Sequence, residues 1–183
     1  MHIRRPKEQA NGNGKQYTLR KATTVDARGI IDCMQSVMEE KKFLIGEFYM
    51  YTERGEQERI RNPDDLTLVV DYAGLIVGVL ALQRGMHRKN RHTANLGIAI
   101  RAGHRHLGLG TRLIEEAKIE AMKRGIEKIN LDVFSTNTVA IETYEKLGFR
   151  KEGARVGQFF FDGKYVDDIL MTFYTSDIPS DLA

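Results

Sequence analysis

The sequence predicts a mixed α/β domain: a central, mixed and twisted sheet with helices on both faces. Three observations carry that expectation. Short β-rich runs, such as Leu66–Val70, Leu75–Leu82 and Thr93–Ile100, alternate with stretches whose apolar residues recur at helical spacing. Gly, Asn and Pro punctuate the junctions, and no Gly/Ser-rich linker or internal repeat interrupts them. The chain has 183 residues, 42% hydrophobic and 29% charged, the size and balance of one globular domain.

In order, residues 1–15 are polar and contain Asn11-Gly12-Asn13-Gly14, which reads as a flexible lead. The domain, 16–175, opens with a strand at Tyr17–Lys21. Thr24 or Asp26 then caps a helix running to about Lys41, with Ile30, Met34, Val37 and Met38 inward and Cys33 in the core beside them. Phe43–Tyr51 is aromatic and takes no assignment. A helix follows over Glu53–Arg61, and Asn62-Pro63-Asp64 breaks the chain. Leu66–Val70 and Leu75–Leu82 form a hairpin around Tyr72–Gly74. The polar segment Arg84–His92 leads to the strand Thr93–Ile100, a glycine-bearing loop, and a helix over about Gly110–Arg124 with Leu113, Ile114, Ala117 and Ala121 inward. Lys128–Phe134 is a strand, Thr138–Leu147 a helix ended by Gly148, and Phe149–Val156 with Lys164–Tyr174 a last hairpin. Residues 176–183 read as a flexible tail. The order is β-α-α-β-β-β-α-β-α-β-β, an α/β arrangement.

Composition narrows the function. A net charge of +3 suits an anionic ligand without arguing for nucleic acid, and no base-reading motif is present. No apolar run approaches the roughly 20 residues that span a bilayer, and no apolar segment follows the charged N-terminus as in a secretory signal. A single cysteine, Cys33, excludes an internal disulfide and fits a reducing, cytoplasmic compartment. His104 and His106 find no third ligand at suitable spacing, so no metal is expected. The basic stretch Arg84–His92 reads as a solvated loop, with a phosphate, an acidic partner or RNA as the other readings.

The most informative segment is Arg101–Arg112, between an apolar strand and an amphipathic helix. A glycine-rich turn there exposes successive backbone N–H groups, and the helix start adds unpaired donors and a positive dipole end. Such a site suits a pyrophosphate. Gly108 and Gly110 leave room for close approach, and Arg105 and Arg112 add charge. No Gly-Lys-Ser/Thr closes the loop, and the dinucleotide spacing G-x-G-x-x-G is absent.

Arg105-His106-Leu107-Gly108-Leu109-Gly110 resembles the R/Q-x-x-G-x-G/A signature of the GCN5-related N-acetyltransferase (GNAT) superfamily, in the expected strand–loop–helix setting. A second segment, Asn137–Phe149, is similar to the superfamily's N-x-x-A-x-x-x-Y-x-x-x-G-F, with Ala140, Tyr144, Gly148 and Phe149 in place. The resemblance extends in element order from about Tyr17 to Tyr174. It implies a GNAT-like acyl-CoA N-acyltransferase fold that binds acetyl-CoA, releases CoA and acetylates a primary amine. The backbone of Leu107–Thr111 would hold the pyrophosphate, flanked by Arg105, His106 and Arg112. The strand edge at Ile98, Ala99 and Ile100 would bond the pantetheine amides in a splay against Lys128–Phe134. Asn137 would touch the same arm, and Tyr144 would protonate the departing thiolate.

An alkyl ammonium with a pKa near 10 must lose a proton before it attacks. Many relatives place a Glu early in the strand where Asn95 stands, and asparagine orients water but is no base. Asp132, in Asn130-Leu-Asp-Val-Phe134, is either solvated or recruited for catalysis or substrate contact. Asp167 and Asp168 point to opposite faces, so at most one reaches a given substrate; Asp167 is taken as a contact. Glu47 and Phe48 lie where the acceptor cleft should have a wall. A water chain in place of a single base also remains open. The aromatics at Phe43–Tyr51 and Phe159–Phe161 serve a pocket, cap packing or a homodimer contact equally well. The leading acceptor is a small-molecule amine, such as an amino acid, a polyamine or an amine-bearing antibiotic. Protein or peptide N-acetylation and a non-catalytic acetyl-CoA-binding module stand as alternatives.

Overall fold

The computed structural model describes residues 7–10 and 16–175. The elements are β1 (Lys7–Ala10), β2 (Gln16–Lys21), α1 (Ala27–Met38), α2 (Glu53–Arg61), β3 (Leu66–Tyr72), β4 (Leu75–Arg84), β5 (Thr93–Ile100), α3 (Leu109–Lys123), β6 (Lys128–Phe134), α4 (Thr138–Lys146), β7 (Arg150–Phe161) and β8 (Lys164–Tyr174). The class is a mixed α/β fold with a central mixed sheet flanked by helices. The described residues group into two compact units, one drawn from Met1–Leu82 and Ile98–Ala117, the other from Gln83–Gly97 and Lys118–Ala183.

In the first unit β1, β2, β3 and β4 pair in sequence order, each antiparallel to its neighbour. The core packs α1 on this sheet through Ile30, Cys33, Val69, Ile76 and Val79. Predicted inward residues Ile30 and Val37 are buried, Met34 half-buried. Arg20 on β2 grips Asp26, whose carboxylate also accepts the Thr23 N–H and hydroxyl, so the turn into α1 is clamped before the helix starts.

In the second unit the order is β5-β6-β8-β7, with β5 and β6 parallel and the rest antiparallel. Ile129, Leu131 and Met171 are buried in it, as are Ile126 and Phe149. The parallel pairing covers Thr93–Asn95 against Lys128–Asn130. Leu96 and Gly97 lie beyond that register, while β6 continues along β8 as far as Phe134 opposite Asp168.

Most element ends shift by one or two residues from the sequence expectation, and three differences are larger. α1 stops at Met38 rather than Lys41, because the chain turns at Glu39–Lys41, where Lys41 takes a positive φ of 53°. β7 runs on to Phe161, carried past Val156 by a register shift between Arg155 and Phe159 that a period-two reading cannot follow. A strand, β1, lies at Lys7–Ala10 within the stretch read as a lead. The expectation for 176–183 falls outside the described residues, as does that for 1–6 and 11–15.

Candidate active site

In the first unit the loop from Arg101 to Gly108 departs from extended backbone three times. Gly103, His106 and Gly108 have φ of 80°, 59° and 72°. Alternation into the left-handed region turns successive N–H groups toward a common concavity. A Cβ added at Gly103 or Gly108 would meet no atom within 4 Å, so the backbone is open to a ligand. α3 starts at Leu109, and its first helical bond runs from the Arg112 N–H to the Gly108 carbonyl (3.1 Å). The N–H groups of Leu109, Gly110 and Thr111 therefore have no carbonyl within the helix. Open space, left-handed turns and free helical donors fit a diphosphate.

Two loop side chains are used internally. Arg105 donates Nε to the Ile100 carbonyl (2.8 Å) and Nη1 to Glu40 (2.8 Å), and stacks 4.7 Å over Phe43. Its charge is therefore largely balanced by Glu40. Tyr17 and His104 Nδ1 share a hydrogen bond of 3.1 Å, which ties the loop to β2.

In the second unit, the Asn137–Phe149 segment is a helix with both ends built from its own motif. Asn137 is the N-cap of α4, its Oδ1 accepting the Ala140 N–H at 3.3 Å. At the other end Gly148, with φ 84°, donates to Glu145, and Phe149 donates to Tyr144 (3.0 Å). This is a Schellman ending, in which the residue after the glycine packs back on the last turn. Phe149 does so, its ring centroid 5.8 Å from that of Tyr144. Behind it, Lys118 donates to the Leu147 carbonyl (2.5 Å) and lies 4.2 Å over Phe173. Tyr144 is buried, and that burial alone pushes its phenol up to about 12. At neutral pH the Oη keeps its proton.

The same unit gathers the predicted acids. Asp132 and Phe134 share a face of β6, with Asn130 and its strand partner Asn95. Asp168, opposite Phe134 on β8, is 2% exposed and accepts Arg155 Nη1 at 2.5 Å. Asp132 stands 3.7 Å from the same nitrogen, with half of its side chain exposed. Burial and the charge of Asp168 raise the Asp132 carboxyl above its ordinary value, and Arg155 pulls the other way. Asp167 serves the backbone instead, accepting the Gly157 N–H (2.8 Å) at the β7 irregularity. A cleft of about 380 Å³ beside α4 is lined by Glu142, Glu145 and Lys151 among others, but by neither Tyr144 nor Asp132.

Glu47 and Phe48 are exposed, and Glu47 reaches only Lys41, at 4.0 Å. The carboxylate built into that region is Glu56, 1% exposed, which accepts Tyr49 Oη (2.8 Å) and Arg59 Nη1 (2.9 Å). The i,i+3 spacing of Glu56 and Arg59 was its only sequence signal. Among the described residues no group of His, Cys, Asp and Glu could hold a metal, and no helix is long and apolar enough to cross a membrane.

A glycine-bearing strand–loop–helix turn in one unit and, in the other, a capped helix carrying a buried tyrosine are each features of the GNAT class of acetyltransferases. The chain belongs to the Acetyltransferase (GNAT) family, whose model matches residues 32–149. It is 31% identical over 118 residues to the L-amino acid N-acetyltransferase AaaT of Escherichia coli K12, covering 63% of this chain and 72% of that protein. It is 28% identical over 163 residues to an N-alpha-acetyltransferase of Sulfurisphaera tokodaii, covering 82% and 90%. A GNAT-family acetyltransferase structure from Streptococcus pneumoniae superposes with a TM-score of 0.80 at 26% identity, covering 86% of this chain and 98% of that one. The protein is an acetyltransferase of this family.

Proposed function

We propose that the protein acetylates the primary amine of a small molecule at the expense of acetyl-CoA, in the cytoplasm. The observation that carries the reading is Tyr144: a buried phenol, protonated at neutral pH and held by the helix ending at Gly148 and Phe149. When bound, acetyl-CoA supplies an acetyl thioester, an acyl group activated toward amines.

This chain's residues divide the remaining work. The Leu107–Thr111 backbone binds the diphosphate, with Gly108 open to it. The amide Nδ2 of Asn137 is not used in its cap and is left for a pantetheine carbonyl. Ile98 to Ile100 offer β5 backbone groups to the same arm. Tyr144 holds a proton on Oη for a leaving thiolate. Asn95, an amide, cannot take up a proton and orients water instead. Asp132, half-exposed with its carboxyl raised above the ordinary carboxylate value by burial and the charge of Asp168, takes the ammonium proton directly or through that water. The amino-acid acetyltransferase among the relatives supports a small acceptor. The greater coverage of the N-alpha-acetyltransferase favours, as a second reading, the N-terminal amine of a peptide.

The test is thiol release from acetyl-CoA with free amino acids, polyamines, aminoglycosides and short peptides, against a control without acceptor. Saturable release with a small amine supports the reading. Release with peptides alone replaces it by the second, and calorimetry showing no acetyl-CoA binding overturns both. Gly108→Glu, which places a negative side chain in the cradle, is expected to abolish that binding in a folded protein.

A further inference from the structure

The cofactor loop is held by a side chain that its motif does not contain. Arg105 places Nη1 on one oxygen of Glu40 (2.8 Å) and Nη2 on the other, and lays its guanidinium 4.7 Å over the ring of Phe43. Its Nε closes back on the Ile100 carbonyl at the end of β5 (2.8 Å). All of these residues belong to the first unit. Glu40 reaches the loop from the turn that ends α1, where Glu40 and Lys41 donate to the Val37 and Met38 carbonyls (3.3 and 2.9 Å). A carboxylate there opposes the α1 dipole, whose C-terminal end favours cations. Helix stability therefore does not account for Glu40; its grip on Arg105 does.

The loop needs such a hold. A turn bond from the His104 N–H to the Arg101 carbonyl (3.2 Å) closes its first half. In its second half His106, directly after Arg105, has a φ of 59° without being glycine, a conformation that persists only where neighbours impose it. With Nε and both terminal nitrogens engaged, Arg105 fixes the backbone immediately upstream of the Leu107–Thr111 N–H groups. A cradle ordered in advance spares the ligand the free energy of ordering it.

We propose that Glu40, with Phe43 stacked on the same guanidinium, is a positioning residue for acetyl-CoA: it holds Arg105, and through Arg105 the diphosphate loop, in the shape that binds. Arg105 then serves the ligand by geometry rather than by charge. The proposal rests on the reading above that Leu107–Thr111 bind the diphosphate, and it adds a residue outside the loop on which that binding depends. The two roles open to Arg105 predict opposite signs. Were its charge attracting the diphosphate, release from Glu40 would tighten binding. As a brace, release from Glu40 loosens the loop and weakens binding. By linkage the ligand in turn steadies the turn at Glu40–Phe43.

The test is calorimetric titration of the full chain with acetyl-CoA. Glu40→Gln, at a partly exposed side chain beyond the end of α1, keeps the shape and removes the charge. It is expected to raise the Kd about tenfold, the range of one charge-assisted pair. Arg105→Lys keeps the charge but loses the fork and the Nε bond, and should weaken binding to a similar degree. The double variant should bind no more weakly than either single one, because the two side chains act as a unit. In the wild type, acetyl-CoA should slow amide hydrogen exchange at Glu40–Phe43, and in Glu40→Gln that protection should be lost even at saturating ligand. Tighter or unchanged binding in Glu40→Gln, additive losses in the double variant, or wild-type exchange at Glu40–Phe43 that ignores the ligand overturns the proposal. A wild type that does not bind acetyl-CoA at all overturns the diphosphate reading itself, and the proposal with it.

Discussion

Two clusters of the same composition, one arginine and two aspartates, sit in the two units and differ in how fully they are satisfied. In the first unit Arg20 donates both terminal nitrogens to Asp26 (2.7 and 2.8 Å) and reaches Asp71 at 3.1 Å. Asp26 takes two more hydrogen bonds from Thr23. The Arg20 guanidinium, helped by Thr23 and opposed by burial, holds the Asp26 carboxyl down to about 2. In the second unit Arg155 spends one nitrogen on Asp168 and leaves Asp132 at 3.7 Å with its carboxyl raised. Composition is the same; satisfaction is not. A closed cluster is an architectural joint, and an open one keeps capacity for a ligand.

Four measurements break or sharpen that contrast. Asp26→Ala removes four hydrogen bonds and the partner of Arg20, and a loss of about 3 kcal/mol in urea unfolding is expected. A loss below about 1 kcal/mol would mean that the first cluster is not the joint described. Asp132→Asn should do the reverse: kcat/KM falls about a hundredfold, some 2.7 kcal/mol, while the unfolding midpoint barely moves.

The third measurement is pH. The Asp26 carboxyl is lowered on folding, so its contribution is whole above about pH 4 and disappears as pH falls through about 2. That contribution is roughly 2 kcal/mol, and the stability gap between wild type and Asp26→Asn should close over that window. In the second cluster the sign is opposite. Asp168→Asn removes the negative charge that raises Asp132, and the acid limb of kcat/KM should move to lower pH. The smallest effect is Asp71→Asn, at the 3.1 Å edge of the closed cluster: under about 1 kcal/mol, with activity unchanged.

Much of the fold was legible because it is periodic. α3 buries Leu113, Ile114, Ala117 and Ala121 as the stripe predicts, and α2 has the predicted bounds. The Asn137–Phe149 motif was legible for a local reason, since its cap, its glycine and its ring contact all lie within thirteen residues. Pairings distant in sequence were hidden. Nothing near Arg105 says that Glu40 holds it, and nothing in Tyr165-Val-Asp-Asp168 says which aspartate is covered. Alternation puts Asp167 and Asp168 on opposite faces, but only β7, bringing Arg155 to one and the Gly157 N–H to the other, separates their roles. Glu47 drew attention by its place in an aromatic segment, yet Glu56, one helix later, is the carboxylate that region buries.

The helix ending at Gly148 has a consequence for what the chain tolerates. Tyr144 gives its carbonyl to Phe149 and its ring to the same residue, so the stop signal and the phenol are indexed to one another. One residue inserted between Tyr144 and Gly148 would rotate the phenol about 100° around the helix axis relative to its stop. Two compensating changes of length, one on each side of Tyr144, would not restore it, because Asn137 fixes the opposite end by the same logic. The segment is a ruler of fixed length, open to substitution on its outer face and closed to insertion.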